Sequence, residues 1–138
     1  MSVKTAADAI ERKLARGLNA RAEALRAEIF NLVERTSPTR SGIKYPGLPR
    51  RSSAPGEPPA YQSGRLAESI AVLSRATPTD LVSTVGPRPQ AFKSRAPYPV
   101  FLEFGTRSIR PRPFMRPAVA AFKRNVQGAQ ANWPGGER

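Results

Sequence analysis

Apolar residues recur along the first part of the chain at Val3, Ala7, Ile10, Leu14, Leu18, Ala22, Leu25, Ile29 and Leu32. Every step is three or four residues, which keeps them on one face of a helix. The spacing predicts a single long helix over 3–35. Its other face alternates charge, and Asp8 and Arg12 are placed for an i,i+4 pair worth a few tenths of a kcal/mol. Gly17 and Asn19 weaken the middle by about 1 kcal/mol or less each relative to Ala. Pro38 stops the helix at or before Ser37. About 33 residues of helix extend roughly 50 Å, more than a domain of this size covers by itself. Part of the stripe is therefore expected to meet another subunit.

The periodicity vanishes over 37–64, where Pro and Gly dominate, and the segment reads as an extended arm or loop. Residues 65–74 begin with a helical turn and end strand-like at Ile70, Val72 and Leu73. "TPTD" is a turn. Residues 81–86 read as a second strand, spaced to form an antiparallel hairpin with the first. Residues 87–97 are a basic, Pro-containing loop. In "YPVFLEFGT", Pro99 suits the first turn of a short helix and Gly105 the left-handed position after its last turn. Residues 107–112 look extended and basic. Val119, Phe122, Val126, Ala129 and Trp133 then recur at helical spacing. Pro117 is tolerable only in the first turn, so this last helix starts near Met115 or Arg116. The expected fold is α+β: a long N-terminal helix, a small antiparallel sheet, a short central helix and a C-terminal helix, with an extended Pro-rich arm. One domain spans 1–138, divided into helix (1–36), arm or loop (37–64), α+β core (65–127) and tail (128–138).

Composition narrows the chemistry. The chain has neither Cys nor His, which removes disulfides, Ser–His and Cys–His nucleophiles and the usual zinc ligand sets. Its carboxylates are scattered, with no paired acids to hold magnesium. "GLPRRSSAPG" lacks the Gly-Lys-Ser/Thr ending of a phosphate-binding loop. Spacing alone leaves open a Ser–Lys dyad of Lys44 with Ser52 or Ser53. The expectation is a protein that is not an enzyme, with no catalytic residue, metal or cofactor. No apolar run is long enough to span a membrane, and "MSVKTAADAIERK" lacks the apolar centre of a signal peptide. A product made and kept in the cytoplasm until it is assembled is expected.

The net charge is +13, which implies anionic partners. Ten of those thirteen charges lie in 36–65 and 107–138. Arg107, Arg110, Arg112 and Arg116 are candidates for phosphates or for acidic protein surfaces, and Tyr98, Phe101 and Phe104 for base stacking. The aromatics keep apolar company at helical spacing, which favours packing over stacking. No DNA-reading motif is present, so nonspecific contact with DNA is the most that this reading supports. Glu103 stands alone among arginines and is expected to pair with one of them, in its own chain or a neighbour's.

Two runs resemble a known family. "APYPVFLEFGTRSIRPRPFMRPAVAAF" is similar to the signature of neck, or head–tail joining, tail-component proteins of tailed bacteriophages. The matching positions are Tyr98, Glu103, Phe104, Gly105, Thr106, Pro113, Phe114, Met115, Pro117 and Ala118. "SAPGEPPAYQSGRLAESI", Ser53 to Ile70, resembles a weaker segment that many members carry before their first strand. The resemblance implies a virion protein forming a six- or twelvefold ring of itself between the capsid's portal complex and the tail, with DNA passing through. It implies neighbours among neck, portal-adaptor or tail-terminator proteins. The expected subunit or neck interface comprises Ile10, Leu14, Leu18, Leu25, Tyr98, Glu103, Phe104, Gly105, Thr106, Arg107, Arg110, Arg112, Phe114 and Arg116. The alternative function is a small basic nucleic-acid-binding protein.

Overall fold

The computed structural model describes residues 2–92 and 98–131. The first helix, α1, runs Val3–Val33. The Ser2 hydroxyl caps it by accepting a 3.2 Å hydrogen bond from the Thr5 N–H, satisfying one of the amides a helix start leaves without a partner. Ala15, Ala22, Ile29 and Val33 are buried, at steps of seven, seven and four that hold them on one face. The first half of the predicted stripe stays uncovered: Val3, Ile10 and Leu14 are 88%, 59% and 50% exposed. The Asp8–Arg12 pair does not form; the ion pairs among the described residues are Glu23–Arg26, Glu23–Arg75 and Glu103–Arg116.

A short helix, α2 (Arg65–Ser69), leads directly into strand β1 (Ile70–Ser74). This strand pairs antiparallel with β2 (Thr84–Pro87) in a two-stranded sheet. The register sets Ile70 against Pro87, Ala71 against Gly86 and Val72 against Val85, then slips so that Ser74 meets Thr84. The second strand thus begins three residues later than its apolar pattern predicts. Side-chain chemistry explains the delay. Asn19 of α1 accepts from the Ala76 N–H at 2.7 Å and from the Ser83 hydroxyl at 2.9 Å, and donates to the Ala76 carbonyl at 3.0 Å. The ladder opens where these residues turn to α1, leaving Leu81 and Val82 exposed. Thr77 and Asp80 close the predicted turn by exchanging backbone hydrogen bonds.

A 3-10 turn spans Pro89–Phe92, followed by α3 (Tyr98–Phe104) and α4 (Met115–Ala131). Trp133, expected on the α4 face, lies outside the described residues. The core joins the C-terminal half of α1 to α2, β1, α3 and α4 through Ile29, Val33, Ala67, Ile70, Leu102, Phe114 and Ala118, with Val85 of β2 packed against it. Leu25 and Leu32 pack on it, half-buried. Across the α1–α4 contact, the Asn125 amide donates to Glu28 at 2.9 Å.

The 37–64 segment has no helix or strand, yet it is fastened at many points. Arg40 is buried, and its guanidinium donates to the carbonyls of Leu32, Pro38, Pro58 and Pro59. Proline supplies a carbonyl but no N–H, so a Pro-rich segment holds more backbone acceptors than donors. One planar, multi-donor guanidinium gathers several of them. Glu57 accepts from the Ser41 hydroxyl and amide and from the Ala54 N–H. The segment also joins the body: the Gly56 N–H donates to the Pro111 carbonyl at 2.9 Å, and Arg112 to the Ser53 carbonyl at 3.1 Å.

Candidate functional site

The run that carries the sequence motif, 98–118, folds as one hydrogen-bonded unit. α3 ends at Phe104, and Gly105 takes φ +77°, its N–H donating to the Phe101 carbonyl at 2.8 Å. That left-handed conformation is cheap only for glycine. A Cβ there would also lie 2.7 Å from the Ile109 carbonyl oxygen and 2.9 Å from Pro111. Of residues 107–112, expected to be extended, 107–109 instead bend into a turn closed by Thr106. Thr106 accepts at its hydroxyl from the Ser108 and Ile109 amides, and its own N–H donates to the Ile109 carbonyl. The chain returns alongside α3, where the Arg112 N–H donates to the Leu102 carbonyl at 2.6 Å.

Glu103 connects the two helices. Its Oε2 accepts from the Phe114 and Met115 amides, both at 2.9 Å, and its Oε1 from the Arg116 amide and Nε, both at 3.0 Å. The carboxylate thus takes up successive N–H groups at the start of α4. Pro117, next in line, has no N–H to satisfy. Every amide orphaned by this helix start is either captured or absent, and the negative charge sits at the positive end of the helix dipole. Burial opposes ionisation of Glu103, but the bonds from Met115, Phe114 and Arg116 outweigh it and hold its pKa below the ordinary carboxylate value. The sequence left Glu103 a partner in its own chain or a neighbour's; the structure pairs it within the chain.

The remaining predicted residues divide by exposure. Phe114, expected at an interface, is 1% exposed and belongs to the core. Arg112 and Arg116 serve the fold, Arg116 also lying 5.3 Å over the Phe104 ring. Arg107 and Arg110 are exposed and have no carboxylate partner among the described residues. Tyr98 is partly exposed, its ring 5.9 Å from that of Phe92. Leu18 and Leu25 are half-buried within the chain, whereas Ile10 and Leu14 are open.

Beside the capping carboxylate runs an open, apolar groove of about 580 Å³ between α3 and α4. Pro87, Val100, Phe104, Met115, Val119 and Ala120 line it. Val100 is half-exposed and Phe104 65% exposed. Large exposed apolar side chains grouped this way mark interaction surfaces more often than scattered ones do. Val3, Ile10 and Leu14 on α1 are a second set of uncovered apolar side chains among the described residues.

The Lys44–Ser52 pairing that spacing allowed is not made. The Lys44 ammonium donates to the Leu48 carbonyl and the Ser52 hydroxyl to the Ile43 carbonyl, so neither activates the other. Among the described residues no group of three or more acids is placed to hold a metal ion, and no helix is long and apolar enough to cross a membrane. Sequence reasoning missed the helix-capping role of Glu103. Its signal was an acid ending an apolar helical turn, followed about ten residues on by a Phe-x-x-Pro helix start. Compared with known proteins, the chain matches no family model, no curated protein and no solved structure.

Proposed function

We propose that this chain is a structural subunit of the neck of a tailed bacteriophage, forming a ring between the capsid's portal complex and the tail through which DNA passes. The observation that carries this reading is the uncovered apolar half of α1. Val3, Ile10 and Leu14 lie open on a helix of 31 residues, about 46 Å long, whose core contacts come mainly from its C-terminal half. A second copy of the chain offers a complementary surface in its own groove between α3 and α4. Pairing such surfaces around a circle is heterologous, and a heterologous contact that closes makes a ring. The motif supports the same reading: its Glu, Gly–Thr and Phe-x-x-Pro positions are the residues that fix α3 to α4 and so shape that groove.

Light scattering and electron microscopy of the purified chain, alone and with neck partners, test this. The expected result is a ring many times heavier than the 15.0 kDa monomer. Leu14→Glu is expected to abolish the ring while leaving the monomer's melting temperature unchanged, because Leu14 makes no core contact. A chain that stays monomeric with every neck partner, joins no virion and binds DNA in a strongly salt-dependent way would instead be a small nucleic-acid-binding protein.

A further inference from the structure

A second cavity, of about 480 Å³, shares no lining residue with the α3–α4 groove. Arg35, Arg40, Lys44, Arg50 and Arg51 line it, and no acid does. None of the five is in an ion pair among the described residues. Their contacts are with neutral groups. Arg40 binds only carbonyls, Lys44 binds the Leu48 carbonyl, Arg51 the Gly42 carbonyl at 3.1 Å, and the Arg50 guanidinium sits 5.6 Å over the Tyr61 ring. Such contacts hold the side chains in place without cancelling their charge. Two carboxylates lie near, Glu57 bonded to Ser41 and Ala54 and Glu34 to Thr36; they act on Arg40 and Arg50 respectively, and two acids against five cations leave the cavity net positive.

A buried charge with no counter-charge is costly. Burial accordingly pushes the Arg40 pKa below its ordinary value, Glu57 opposing this only in part. Arginine forks present paired N–H groups that match tetrahedral oxyanions. We infer that this cavity binds a phosphate-type oxyanion, with Arg50, Arg51 and Lys44 as its contacting cations and Arg40 supplying fixed positive charge behind them. The source is free phosphate or the phosphodiester backbone of a nucleic acid. This site is independent of ring formation.

The test compares thermal melting in sodium phosphate with melting in sodium chloride at matched ionic strength. At phosphate tenfold above its Kd, the wild type is expected to melt about 5 °C higher. The double variant Arg50→Gln, Arg51→Gln is expected to lose that rise while melting like wild type in chloride. Lys44→Gln, which removes one cation and no guanidinium, is expected to weaken the rise and serves as the test should the double variant fail to fold. A short mixed-sequence DNA duplex then identifies the source. If DNA suppresses the phosphate response, and the double variant binds it with a log affinity–log salt slope shallower by about 0.9 for each arginine that no longer meets a phosphate, the ligand is nucleic-acid backbone. If phosphate binds and DNA has no effect on it, the ligand is a free oxyanion. An absent rise in the wild type, or an equal rise in both variants, overturns the proposal.

Discussion

Replacing Glu103 tests the link between the sequence motif and the fold most directly. Glu103→Ala removes an acceptor from four donors, three of them amides at the start of α4. Phe114 is buried, so its N–H is left without a partner, at about 1–3 kcal/mol. Loss of the helix cap adds about 1 kcal/mol. Met115 and Arg116 lie nearer solvent and recover part of their bonding from water, and the ion pair to the exposed Arg116 side chain adds little. The expected net loss is about 2–4 kcal/mol, a large share of a small domain's stability. Glu103→Gln keeps one oxygen for two donors but turns an NH2 group toward the other two, and about 2 kcal/mol is expected. Urea unfolding monitored by circular dichroism at neutral pH measures both, with a midpoint about 1–2 M lower for the alanine variant. A midpoint within about 0.3 M of wild type would refute the capping argument. Because the contacts are within one chain, the loss should appear in dilute monomer, before any assembly.

Other substitutions separate local geometry from packing. Gly105→Ala combines a left-handed backbone with a close approach to Ile109 and Pro111, and about 2 kcal/mol or more of destabilisation is expected in the same assay. Gly17→Ala is the opposite case. Nothing lies within 4 Å of the added methyl, so mid-helix propensity should stabilise the chain by up to about 1 kcal/mol. Asn19→Leu should cost about 2 kcal/mol by breaking the bonds to Ala76 and Ser83, and hydrogen exchange at the Ala76 amide should accelerate while the core of α4 stays protected. Acid should weaken the fold through Glu57, whose contacts with Ser41, and then with Ala54, lower its pKa from 4.5 to about 2. A depressed carboxylate stabilises above the unfolded-state pKa and loses that contribution as pH falls through its folded value. Glu57→Gln should therefore flatten the stability curve between pH 4.5 and about 2, and an unchanged acid limb would contradict this.

The elements of this fold were legible in the sequence wherever a local rule decides. Apolar period and Pro38 bounded α1, and the confinement of Pro117 to a first turn put the start of α4 near Met115 or Arg116, where the structure has Met115. The demand for a left-handed residue after a helix explains Gly105. The α+β class follows from those elements and a hairpin spaced by "TPTD". The pattern also indicated that α1 outreaches its own domain, because a stripe of that length exceeds the core available to it.

Partners distant along the chain were a different matter. Asn19 reads locally as a weak helix residue, yet it clips α1 to Ala76 and Ser83 and so decides where β2 begins. Phe114 reads as a motif residue bound for an interface, and only packing sends it into the core. Glu103 has one chemistry and several arginines in reach; the fold gave it three amides as well. Arg40 sits in a segment without periodicity, and its role depends on carbonyls up to 19 residues away. Local propensity ranks conformations of a few residues at a time. A buried polar group, by contrast, takes whichever partner the folded chain brings within hydrogen-bonding distance, and only the tertiary structure decides that.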